Sequence, residues 1–196
     1  MLEGSEQRTV SENHSAALQC EEAVVWFAMS APYRKELAAK SWLDRRSIES
    51  FVPMHYAVRN RRGRKSREQI PVISNLIFVR STKSEIQNAK SEIGFLQYLT
   101  RREGGRNVPI IVPDEQMHQF MAVVQTRNEH LVYLRPEEVN LQSGTNVRIL
   151  GGPFDGVEGV FVKVQGYRSR RVVVLVEGIA AVATAEIEPD LIEVIK

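Results

Sequence analysis

The sequence predicts an α+β chain in two parts: an antiparallel sheet covered by helices over residues 23–126, and a small all-β domain over residues 144–196. Three observations predict it. Apolar patterns between Ala23 and Gln125 run in the order β-α-β-β-α-β-α, as expected for helices on one antiparallel sheet. After Gly144, short Val-rich runs are separated by glycine turns, the pattern of a small β-domain. Between the two lies a polar stretch, Arg127–Ser143, with Arg135-Pro136-Glu137-Glu138 inside it, which reads as a linker.

Met1–Glu22 is rich in Ser, Glu, Gln and Asn with little periodicity, and reads as a mobile tail with a short helix near Ser15–Cys20. Order begins at Ala23–Met29, an apolar run of strand length bounded by Pro32; such a run suits a central, covered strand. Tyr33–Arg46 reads as a helix whose apolar face is Leu37, Ala38, Ser41 and Trp42, with Arg34, Lys35, Glu36, Lys40 and Asp44 outside. A second strand, Phe51–Val58, is entered through Phe51-Val52-Pro53. Then Arg59, Arg61, Arg62, Arg64, Lys65 and Arg67 place six cations in nine positions. Gly63 near the middle marks a hairpin tip.

Pro71–Arg80 reads as a third strand carrying Val72, Ile73, Leu76, Ile77, Phe78 and Val79. Alternation puts Leu76 and Phe78 on one face and Ile77 and Val79 on the other. Lys83–Ser91 reads as a short helix and Phe95–Thr100 as a fourth strand. Pro113 opens a third helix at its first position, with Asp114 and Glu115 at the positive end. Met117, Phe120, Met121 and Val124 recur at helical spacing and define its buried face.

The densest local signal is Gly144–Val164. Val147 and Ile149 alternate with Arg148, then Gly151-Gly152-Pro153-Phe154-Asp155-Gly156 forms a concentrated turn. Val157, Val160, Val162 and Val164 supply the return strand, and Gly144, Gly156 and Gly159 stand where positive φ or close backbone approach is needed. Phe154, set between Pro153 and Asp155, is either an aromatic exposed to a partner or a buried turn residue. Val172–Val176 and Leu191–Ile195 read as further strands.

Net charge is only +2, so the cations matter by position rather than number. Within Arg59–Arg67 there is no carboxylate, which leaves either a solvated loop or a positive lobe for phosphates. Cys20 is the single cysteine; no disulfide forms within the chain and a reducing cytoplasm is expected. There is no apolar run near membrane length and no charged-then-apolar leader, so a soluble cytosolic protein is expected. His14, His55, His118 and His130 are scattered without ligand spacing, and no phosphate loop, nucleophile elbow or zinc-protease motif is present. No metal or cofactor is expected, and an enzyme is disfavoured.

The strand-turn-strand at Gly144–Val164 resembles a KOW motif, an SH3-like small barrel. Trp26-Phe27, Phe51-Val52-Pro53 and Ile73-Ser74-Asn75-Leu76-Ile77-Phe78-Val79 resemble the opening, the second strand entry and the F-P-x-Y-[LV]-F-V segment of the NusG family. Ser74 and Leu76 depart from that segment's Pro and Tyr, while Asn75 still accepts a left-handed turn. Together these make the chain similar to a NusG-type N-terminal domain followed by a KOW domain.

The resemblance implies a transcription elongation or antitermination factor. Its first domain would dock on the clamp helices of the largest RNA polymerase subunit through Ile73, Leu76, Phe78 and Tyr98, and oppose pausing. Arg34, Lys35 and Lys40, with Arg59, Arg61, Arg62, Arg64, Lys65 and Arg67, would contact nucleic acid, including the non-template DNA strand. Phe154, Val157, Val176 and Ile179 would present the KOW domain to a ribosomal protein or to Rho. The polar N-terminal extension, short first helix and degenerate F-P-x-Y resemble the specialised paralogues of RfaH or UpxY type, which antiterminate particular operons such as those for capsular polysaccharide. A KOW-type RNA-binding or ribosome-associated protein and a general housekeeping NusG are the alternatives.

Overall fold

The computed structural model describes residues 23–61, 63–126, 128–134, 138, 143–176, 178–184 and 186–195. The expected tail with its helix and Cys20, together with Arg62, lies outside the described residues, as does much of the expected linker. The chain is α+β, with antiparallel sheets and three α-helices among the described residues. It divides into two compact units, residues 1–51 with 75–111, and residues 52–74 with 112–196.

The first unit is built on β1 (Val25–Ser30), whose residues are buried or nearly so, as its continuous apolar run requires. Strands β2 (Glu49–Phe51) and β5 (Leu76–Ser81) lie on one side of β1 in the order β2-β5-β1, and β6 (Gln97–Tyr98) lies on the other. Phe27 stands opposite Val79 and Ala28 opposite Phe78. Both faces of β5 are buried, so the alternation of Leu76 and Phe78 against Ile77 and Val79 does not separate a core from an exposed face.

Helix α1 (Glu36–Asp44) starts later than its sequence pattern suggests. Tyr33 and Arg34 take positive φ, and the Asn75 side chain accepts the Arg34 N–H at 2.8 Å. Asn75 itself is left-handed, at φ 68°, as its sequence position required. The helix buries Glu36, Ala39 and Leu43 and leaves Leu37 44% exposed. The face expected from Leu37, Ala38 and Ser41 is therefore the outer one.

Helix α2 (Lys83–Ile93) is capped at both ends. The Thr82 hydroxyl accepts the Glu85 N–H at 3.2 Å, and Gly94 closes the helix at φ 70°.

The second unit begins with a two-stranded ribbon, β3 (Met54–Arg61) and β4 (Arg64–Pro71). The break at Val52-Pro53 separates β2 from β3, and Val72–Asn75 separates β4 from β5, so each of the two long strands expected from sequence is two. A second ribbon, β7 (Thr100–Glu103) and β8 (Arg106–Pro109), belongs to the first unit. The two-residue strand β9 (Ile111–Val112) then leads to α3 (Asp114–Gln125), with Pro113 at the cap rather than the first helical position. Helix α3 buries Met117, Phe120, Val123 and Val124. Its fourth buried residue is thus Val123, with Met121 only half-buried.

The remaining strands are β10 (Val132–Leu134), β11 (Thr145–Ile149), β12 (Glu158–Lys163), β13 (Arg170–Val176), β14 (Ala180–Ala183) and β15 (Ile192–Val194). They form one antiparallel sheet in the order β10-β14-β13-β12-β11-β15. β10 falls inside the stretch read as a linker: its polar surroundings hid the short alternating run Val132-Tyr133-Leu134. Helix α3 packs on β13 and β14, and Gln119 Oε1 accepts the Glu158 N–H at 2.9 Å.

Candidate nucleic-acid and partner interfaces

Antiparallel pairing fixes which cations of the β3–β4 ribbon share a face. Arg59 stands opposite Ser66, Asn60 opposite Lys65 and Arg61 opposite Arg64. Directly opposed residues point the same way and neighbours alternate. Arg59 and Arg64 therefore occupy positions on one face, and Lys65 and Arg67 on the other. Val58, 69% exposed, follows the Lys65 face.

Two of these cations are engaged. Arg59 Nε lies 3.8 Å from Glu68 Oε2. Arg67 pairs with Glu129 and lays its guanidinium 4.2 Å from the centre of the Tyr56 ring. Among the described residues no carboxylate pairs with Arg64 or Lys65, and both are exposed. The ribbon thus carries cations without a carboxylate partner at Arg64 and Lys65, the two rungs at its tip, and paired cations at Arg59 and Arg67 on the next two rungs. A two-stranded ribbon is of a width that a DNA groove admits, and Lys and Arg bind phosphate without reading sequence.

The helix cations fare differently. Lys40 Nζ pairs with Asp44 Oδ1 at 2.9 Å and donates to the Ser50 carbonyl at 3.2 Å. It ties α1 to β2. Lys35 places its ammonium 4.7 Å from the centre of the Phe95 ring. Arg34 remains exposed at the turn before α1.

Sequence reasoning missed Arg101, Arg102 and Arg106 on β7–β8. Arg101 pairs with Glu103 at 3.3 Å, while Arg102 and Arg106 meet no carboxylate among the described residues. The signal was present: Gly104-Gly105 between two short runs is a two-residue hairpin turn, and both glycines take positive φ.

The apolar residues expected at the polymerase surface divide. Leu76 is 3% exposed and Phe78 0%, so neither offers a free surface; near-continuous apolarity in β5 marks a strand buried on both faces. Tyr98 is half-buried, tilted against Phe27 at 5.4 Å between ring centres, with Lys90 Nζ 4.5 Å over its ring. Burial pushes its hydroxyl pKa above the ordinary value. Ile73 is half-buried in the other unit, where it lines a cavity of about 360 Å³ with Val72, Tyr133, Leu134, Glu138 and Ile179.

The turn expected to expose Phe154 encloses it. Gly151 donates its N–H to Asp155 Oδ1, Gly156 donates to the Ile149 carbonyl at 2.8 Å, and Val157 donates to the Phe154 carbonyl at 3.1 Å. The resulting 3-10 turn over Gly152–Phe154 folds the ring inward, leaving it 2% exposed. Val157 and Val176 are also buried. Of the four residues expected to meet a partner, Ile179 alone is half-buried rather than buried. Gly159 shows why its position takes no side chain: a Cβ there would lie 2.7 Å from the Val173 carbonyl oxygen.

Among the described residues no three His, Cys, Asp or Glu side chains are arranged to hold a metal, and no helix is long and apolar enough to cross a membrane. What the chain displays is an α+β architecture bearing two cationic ribbons. The family model described as "Transcription termination factor nusG" matches residues 24–121. The chain therefore belongs to the NusG family, a family of transcription elongation and termination factors that bind RNA polymerase and are not enzymes. Comparison with curated proteins gives no match. Among solved structures the chain is similar to that titled "Domain interaction in Thermotoga maritima NusG", at 19% identity and a TM-score of 0.40, covering 89% of this chain and 98% of that one.

Proposed function

We propose that the chain is a specialised transcription factor that binds RNA polymerase, steadies it on nucleic acid through the β3–β4 ribbon, and suppresses pausing and termination at particular operons. The observation that carries this reading is the placement of exposed Arg64 and Lys65 at the tip of a ribbon whose next cations, Arg59 and Arg67, are paired with Glu68 and Glu129. Charge concentrated at a projecting tip suits the phosphates of an exposed non-template strand. Ile73 and Tyr98 remain the apolar candidates for polymerase contact. The departures at Ser74 and Leu76 from the family segment favour a specialised member over a housekeeping one. The C-terminal sheet is read as a KOW-type domain that recruits a further factor, a ribosomal protein or Rho, with Ile179 at its recruiting edge.

The test is binding to a reconstituted elongation complex over a range of salt. Replacing Arg64 and Lys65 with Ser should lower the slope of log affinity against log salt by roughly 0.7–0.9 for each phosphate no longer neutralised. An unchanged slope would show that the tip is merely solvated and would remove the ribbon from the reading.

A further inference from the structure

The C-terminal sheet ends on a strand borrowed from outside the small β-domain. Val132 pairs with Ala183, Tyr133 with Val182 and Leu134 with Ala181. Val132 and Leu134, two apart, pack on the cluster of Val162, Val164, Val173, Ala181 and Ala183. Alanines at 181 and 183 leave room that the two aliphatic side chains of β10 fill. The attachment is short: three residues, each only half-buried. Arg171 fastens its start, donating from Nη1 to the His130 carbonyl at 3.2 Å and also to the Thr184 carbonyl beyond β14. Tyr133, on the opposite side of β10, lies edge-on to His55 at 6.4 Å between ring centres.

We infer that the β14 edge is a strand-accepting site, held in this chain by its own residues Val132–Leu134, and that its partner is an extended segment bearing aliphatic side chains at positions i and i+2. An uncovered sheet edge offers a row of unpaired amides and carbonyls, and strand addition to such an edge is a recurrent mode of recognition. The sequence rule follows from the Ala181 and Ala183 recesses. Ile179 and Ile73 line the same cavity as Tyr133 and Leu134, so departure of β10 uncovers both. This inference rests on the reading that the C-terminal sheet recruits a partner, and it adds the chemistry of the partner and a resident competitor.

Two measurements on the full chain decide it. The first uses a labelled peptide of the sequence His130–Arg135 and the variant Val132→Asp/Leu134→Asp, which removes the two anchoring side chains. A resident strand that occupies the edge nine-tenths of the time weakens the peptide about tenfold. The variant should therefore bind the peptide about tenfold or more tighter than wild type, and a peptide with Asp at both aliphatic positions should bind neither. Equal binding by variant and wild type would overturn the inference. The second measurement needs no variant: the β10 amides in wild type should exchange with deuterium at least about tenfold faster than those of β13, through local opening. Exchange of β10 only together with β13 would overturn it equally. Neither readout uses a cellular partner, so each stands or falls apart from the recruitment reading.

Discussion

Replacing Phe154 with Ala separates a buried turn residue from a docking anchor. The ring is 2% exposed. A buried aromatic side chain covers on the order of 150–250 Å². At about 25 cal/mol per Å² that is about 4–6 kcal/mol, of which the remaining methyl keeps a part. The expected loss is about 3–5 kcal/mol, the usual range for Phe→Ala in a core. The turn backbone does not close over the void readily, because the Gly156 and Val157 N–H groups are already bonded to the Ile149 and Phe154 carbonyls. Native-state amide exchange on the full chain is the assay, read at the β13 amides. Each 1.4 kcal/mol is about tenfold in protection, so β13 should lose roughly two to three and a half powers of ten. Protection retained at the wild-type level, with recruitment of a partner abolished, would refute the burial argument and restore Phe154 as an exposed anchor.

Gly159→Ala should destabilise the same sheet by about 1–3 kcal/mol, since the added Cβ meets backbone at Val173 rather than a flexible side chain; chemical denaturation followed at β12 and β13 checks it. Tyr133 gives a pH signature. Burial pushes its pKa from 10.0 up to about 12, so the folded state holds the proton longer than the unfolded one. The contribution is fully present below pH 10 and is lost as pH rises from about 10 through about 12. A spectroscopic phenolate titration should lose its highest step in Tyr133→Phe, and that variant's stability should fall less steeply across the same window.

Much of the first unit was legible because periodicity carried it. The apolar run in β1 and the Asn75 turn can each be read from residue types alone. The face of α1 was not legible: Tyr33 and Arg34 enter a left-handed turn that Asn75, distant in sequence, supports. The helix that follows this turn buries Glu36 and leaves Leu37 outside. The basic ribbon was legible from its cations and Gly63, but the ion pair between Arg67 and the distant Glu129 is an interaction no spacing reports. Burial of Phe154 also lay beyond the pattern, since an apolar residue in a turn has the same letter whether it faces core or partner. β10 was missed because three residues are too few to show alternation, and its strand character comes from the β14 edge it meets.

The most direct test of the central claim is single-round transcription by the purified cognate RNA polymerase through a pause site and a terminator, with the full chain added in increasing amounts. The account predicts shorter pause lifetimes and greater read-through, both weakened by the double substitution of Arg64 and Lys65 with Ser. Pause lifetimes and read-through unchanged by the wild-type chain, while the polymerase is shown to bind it, would contradict the claim that this protein steadies an elongating polymerase.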